Sequence, residues 1–162
     1  MIKLVNTVIF LIINEKNQVL LTRKVQEENP KKDRGPVVQI MKKEDSVEPK
    51  EEWSLLVNNA GDDEDPRVVI RRETKKKLGC EAGVCVYFNL YFHPISENFI
   101  KKIVYFYGDI KGQVEIKEDS INLEWVDLEE EDIKNLNLPP DQEEALLDFA
   151  DFLQRKFLEQ VD

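Results

Sequence analysis

One histidine, two cysteines and no long apolar run: the chain is short of several things that would place it in a common functional class. The lone His93 has no second imidazole to pair with, and the His-Pro step around it reads as a loop. A histidine-based metal site or a histidine base is therefore not expected. Cys80 and Cys85 form neither a C-x-x-C pair nor part of a dense cysteine framework. That argues against a secreted disulfide scaffold and against zinc, and leaves two small buried thiols in a reducing compartment. The apolar stretch within "MIKLVNTVIFLIINEKN" is far shorter than a bilayer span and leads to no small-x-small cleavage site. A membrane anchor and a signal peptide are both disfavoured, and a cytoplasmic protein is expected. Positive charge is also in deficit: 23 Lys and Arg stand against 33 Asp and Glu, for a net charge of -10. Nucleic acid and anionic membranes are poor partners for such a chain, although a local basic patch can still hold one phosphate group.

What is present fits one domain over residues 1–162, with no internal repeat and no domain boundary. "LVNTVIFLII" and "QVLLTRKV" are β-branched and apolar, and the polar "NEKN" between them suggests a β-hairpin. Their continuous apolarity suggests strands covered on both faces. A polar insertion of about 26–52 follows, broken by Pro30, Pro36 and Pro49, in which only "PVVQIM" has strand character. "GVCVYFNLYF", "KIVYFYGDI" and "NLEWVDL" supply further strands.

Helical signals bracket residues 66–78. Asp65 suits the N-cap and Pro66 the first helical position, while Lys75, Lys76 and Lys77 crowd the last turn before Gly79. Near the C-terminus, "EEEDIKNLNLPP" reads as a short helix with a double-proline stop. An amphipathic helix then closes the chain, with Leu146, Phe149, Ala150, Leu153 and Phe157 on one stripe. Leu147, Phe152 and Leu158 fall partly outside that stripe and are expected at the core rim rather than in a dimer contact.

The stretch from Glu51 to Gly79, "EEWSLLVNNAGDDEDPRVVIRRETKKKLG", resembles the Nudix box, G-x5-E-x7-R-E-U-x-E-E-x-G-U with U aliphatic. Anchored on Arg72-Glu73, the register holds without a gap: Glu64 takes the first glutamate, Gly79 the last glycine and Cys80 the final aliphatic position. Trp53 stands where relatives often carry an aromatic, and the opening strands and "LEWVDLEEEDIKNLNLPP" are similar to the corresponding Nudix segments. The resemblance implies an α/β/α sandwich around a mixed β-sheet. It also implies hydrolysis of a nucleoside diphosphate linked to another group, with magnesium or manganese held by the box carboxylates and a backbone carbonyl near the box glycine.

Four positions depart from that pattern. Asn58 replaces the box glycine, Thr74 the aliphatic residue, and Lys76 and Lys77 the paired glutamates. Asparagine tolerates left-handed geometry, so Asn58 is expected to keep the turn. The lysines weigh more. Positions 73, 76 and 77 share a helix face, and hard divalent cations need oxygen ligands there. A pair of unit charges ~4 Å apart interacts by ~4 kcal/mol at an effective dielectric of ~20. Two ammonium groups turn that attraction for a metal into repulsion.

No catalytic residue and no metal is therefore expected. Glu64, Arg72 and Glu73 are vestiges of the box, with Arg72-Glu73 read as an ion pair tying helix to loop. Lys76 and Lys77 are either a solvated helix end or, with Arg72, a grip for the phosphate of a nucleotide or nucleoside-diphosphate derivative. A catalytically impaired nucleotide-binding or protein-interaction module is the leading expectation. The alternatives are an active hydrolase using magnesium or manganese on Glu64, Glu73 and a glutamate from elsewhere, and a purely structural partner in an assembly. Glu118 and Glu124 lie near a further family metal position but are expected to be solvated.

Overall fold

In β1 (Lys3–Ile12) the residues from Thr7 to Ile12 are all buried, because the two faces of the strand enter different cores. Val8, Phe10 and Ile12 pack on one side, Ile9 and Leu11 on the other. The computed structural model describes residues 2–24, 53–115 and 121–160, but not the side chains of Lys24, Ile121 and 157–160. The insertion at 26–52 with its "PVVQIM" segment, and Glu118, lie outside the described residues.

Both edges of β1 are taken. It pairs antiparallel with β4 (Leu56–Asn59) through Thr7–Phe10, and parallel with β6 (Phe99–Lys111) over its whole length. The expected hairpin with β2 (Gln18–Lys24) is therefore replaced by a corner between sheets. What joins the two arms is an isolated bridge from Ile13 to Val19 and the hydrogen bonds that Asn14 donates to Gln18. Asn14 Oδ1 accepts from the backbone N–H groups of Lys16 and Gln18, and Asn17 takes a left-handed φ of 58°. The turn forms at the polar segment, but β1 and β2 belong to different sheets.

The first sheet runs β4-β1-β6-β5, with β5 spanning Glu81–Pro94. It is mixed, since β1 and β6 are parallel and the other pairs antiparallel. The second runs β3-β2-β7, where β3 is Trp53–Ser54 and β7 is Ile121–Asp127. Residues 53–59 cross from the second sheet to the first, with Leu55 buried at the crossing. On one face α1 (Pro66–Leu78) contributes Val69, Ile70 and Leu78 against Val8, Phe10, Ile12 and Leu20. On the other, α2 (Glu130–Lys134) and α3 (Pro140–Gln160) contribute Ile133, Ala145, Leu146 and Phe149 against Ile9, Leu11, Val19 and Leu21. The result is the α/β/α sandwich expected from the sequence. None of the described helices is long and apolar enough to cross a membrane.

Along α3, Leu146 and Phe149 are buried, Ala150 and Leu153 partly so, and Leu147 and Phe152 pack at the margin of the same core. The rim reading therefore holds for these last two. The side chains of Phe157 and Leu158 are outside the described residues. Cys80 and Cys85 are free thiols, and burial pushes both pKa values up, which keeps them protonated. His93 is not in a loop: it lies in β5, paired with Lys101, and its ring stacks on Tyr91. The hairpin turn begins only after Pro94, because cross-strand packing carries β5 through the His-Pro step. Among the described strands β5 forms the outer edge of its sheet. It exposes Val84, Val86, Tyr87 and Phe92, and its register with β6 shifts twice.

Candidate functional site

The box spans the crossing segment 53–59, the acidic loop after it, and α1. Asp65 caps α1 as expected, its carboxylate accepting from Arg67 N–H at 2.9 Å. Gly79 ends the helix with a left-handed φ of 70°, and its N–H donates to the Lys75 carbonyl.

Arg72 projects from α1 toward the preceding loop. Its Nη1 donates to Glu64 Oε2 at 2.7 Å, while its Nε lies 3.8 Å from Glu73 Oε2. The other Glu64 oxygen accepts from the Gly61 N–H at 2.8 Å. The hydrogen bond from Arg72, and then that from Gly61, hold the Glu64 carboxyl below the usual glutamate range. Arg72 is raised in turn, chiefly by its hydrogen bond to Glu64. Both oxygens of Glu64 are thus engaged by the protein itself. The closest tie of Arg72 is to Glu64, not to Glu73 beside it.

The glycine position behaves differently from the sequence expectation. Asn58 is not in a turn with left-handed backbone; it sits inside β4, paired with Val8 and almost wholly buried. β4 extends through this point because β1 offers it a partner edge. The Asn58 side chain meets a cation: Lys77 Nζ donates to Asn58 Oδ1 at 2.7 Å and to the Val57 carbonyl at 2.9 Å. Lys76, one position earlier, is exposed. Of the residues singled out in the sequence, the fold therefore brings together Arg72 with Glu64 and, at longer range, with Glu73, and separately Lys77 with Asn58; the tie from helix to loop runs through Glu64. Glu124 is exposed in β7, in the other sheet, opposite Leu21.

Gln142, near the start of α3, is not among the residues that the sequence singles out. Its Oε1 accepts from the Leu55 N–H at 2.8 Å, and its amide group also reaches Ser54 Oγ. The crossing segment is held by α3 at Leu55 and by α1 at Val57 and Asn58. Nothing local foretells a contact between residues so distant in the chain.

No family model matches the chain, and no curated protein does. Solved structures do match. A MutT protein from Methanosarcina mazei Go1 is 20% identical, with 99% of this chain and 98% of that one covered at a TM-score of 0.59. A NUDIX hydrolase from Nitrosomonas europaea is 14% identical, with coverages of 91% and 88% and a TM-score of 0.62. The E. coli ORF135 protein is 19% identical, with 90% of each chain covered and a TM-score of 0.63. The chain has the Nudix fold, of the kind seen in MutT-like hydrolases.

A divalent metal is implied by that fold but does not suit these donors. Magnesium needs several oxygen ligands in close array. Here Glu64 is bonded to Arg72 and Gly61, and an ammonium group occupies the Val57 carbonyl. Among the described residues no group of three or more His, Cys, Asp or Glu side chains is placed to hold a metal ion.

Proposed function

We propose that this protein is a catalytically impaired Nudix-fold module that binds a nucleotide or nucleoside-diphosphate derivative, in the cytoplasm and without divalent metal. The observation that carries this reading is the Lys77 ammonium seated on Val57 and Asn58. The box presents cationic groups at positions where the resemblance calls for metal-binding carboxylates. Lys76, exposed one position before Lys77, is the point at which an incoming phosphate first meets positive charge. Arg72 joins that grip by exchanging Glu64 for a phosphate oxygen, a substitution that keeps its guanidinium paired.

Calorimetry with ADP-ribose and nucleotides, in EDTA and at low salt, is expected to show binding that weakens in Lys76→Glu. No heat for any of these compounds overturns the nucleotide reading and leaves a protein-interaction module. A magnesium-dependent assay over dinucleotides, nucleotide sugars and nucleoside triphosphates is expected to show no turnover above background. Robust turnover lost in Glu73→Gln would establish an active hydrolase instead, with a rearranged metal site on Glu64 and Glu73.

A further inference from the structure

The Lys77 side chain leaves the last turn of α1 and ends between two oxygens of β4 that are adjacent in the chain. Both contacts are short, and the side chain is partly buried. Asn58 is one of the few buried polar residues of the described chain, so its amide oxygen depends on this donor. A carbonyl and an amide oxygen converging on one positive centre is what a bound cation receives from a protein, except that this cation is covalently attached.

The segment it holds has a demanding place in the fold. Residues 53–59 leave β2 as a partner at Ser54 and join β1 by Leu56, so the backbone changes sheets within two residues. Leu55 enters the core beneath α3 and Leu56 the core beneath α1. Gln142 fixes the first half of this crossing from the α3 side, and Lys77 fixes the second half from the α1 side.

We infer that Lys77 is the resident cation of the box, a positioning residue that pins the sheet crossing to α1 and makes the folded site independent of divalent metal. The inference rests on the proposed reading of the box but not on any nucleotide affinity, so its test contains no nucleotide. Thermal unfolding of the wild-type protein is expected to give the same midpoint in EDTA as with magnesium or manganese. Lys77→Met is expected to lower the midpoint by about 5 °C in every buffer, since it strands the buried Asn58 oxygen. Lys77→Glu is expected to melt lowest in EDTA and to recover part of the loss with manganese, as a carboxylate turns the seat back toward a metal. A merely structural lysine would give no such metal-dependent recovery.

A wild-type midpoint that rises with magnesium or manganese would overturn the inference, and this arm needs no variant to fold. Lys77→Met melting together with the wild type would also overturn it, as would Lys77→Glu indifferent to manganese. Nucleotide binding lost with these outcomes intact would count against the proposed function alone.

Discussion

At the scale of single residues, Glu64 shows how a residue can keep its place in a motif while its bonds are spent elsewhere. Its carboxylate accepts from Arg72 and from the Gly61 backbone, and its folded pKa is lowered, first by Arg72 and then by Gly61. A carboxyl with a lowered folded pKa contributes stability above its unfolded value, and that contribution is lost as pH falls through the folded value. Arg72→Met is therefore expected to cost stability at neutral pH and to converge with the wild type in acid, below the ordinary glutamate range. Urea midpoints measured across that range check it. Because Glu64 is exposed, the effect is small and diminishes in salt. The register that places Glu64, Arg72 and Glu73 was readable from the sequence. That Arg72 prefers Glu64 was not, since it depends on the path of the loop between them.

The helices are the elements whose limits were written most plainly in the chain. The Asp65 cap, the proline at the first position and the left-handed Gly79 of α1 all stand where local chemistry puts them. Gly79 carries two constraints together: its φ of 70°, and a Glu115 carbonyl oxygen that would lie 2.6 Å from an added Cβ. Gly79→Ala is expected to destabilise by more than the ~1 kcal/mol that left-handed strain costs alone, because the Glu115 backbone must move as well. Chemical denaturation with an unchanged slope would check this. Strands were legible as strands, but their partners were not. β1 and β2 look like a hairpin because a short polar turn joins them, and only the filled edges of β1 show why they part. Asn58 departs from the expected turn for a similar reason: its conformation is set by pairing with Val8, from far earlier in the chain.

At the scale of the whole molecule, two cores share a single central layer. Trp53 packs against the core under α3 and Trp125 against the core under α1, so each tryptophan reports on a different side. β1 contributes alternate residues to both, so the loss of either core uncovers one face of a strand that the other core also needs. Phe149→Ala, on the α3 side, is expected to cost ~3–5 kcal/mol. The loss is expected to be equal whether it is followed by Trp53 in a Trp125→Phe background or by Trp125 in a Trp53→Phe background. Separate midpoints for the two would show that the sides unfold independently. The sandwich itself was foreseeable from the resemblance and from strands apolar on both faces. The seat of Lys77 was not, because Asn58 and Lys77 meet only after β4 has joined β1 and α1 has packed over them.

The shifts of register in β5 have a consequence for how the protein behaves at high concentration. A long outer strand bearing Val84, Val86, Tyr87 and Phe92 is an invitation to fibril growth. The breaks between Ala82 and Cys85 and between Tyr87 and Asn89 interrupt its first half, so the regular run open to a neighbouring molecule is cut to Asn89–Pro94, which ends at a residue without an amide hydrogen.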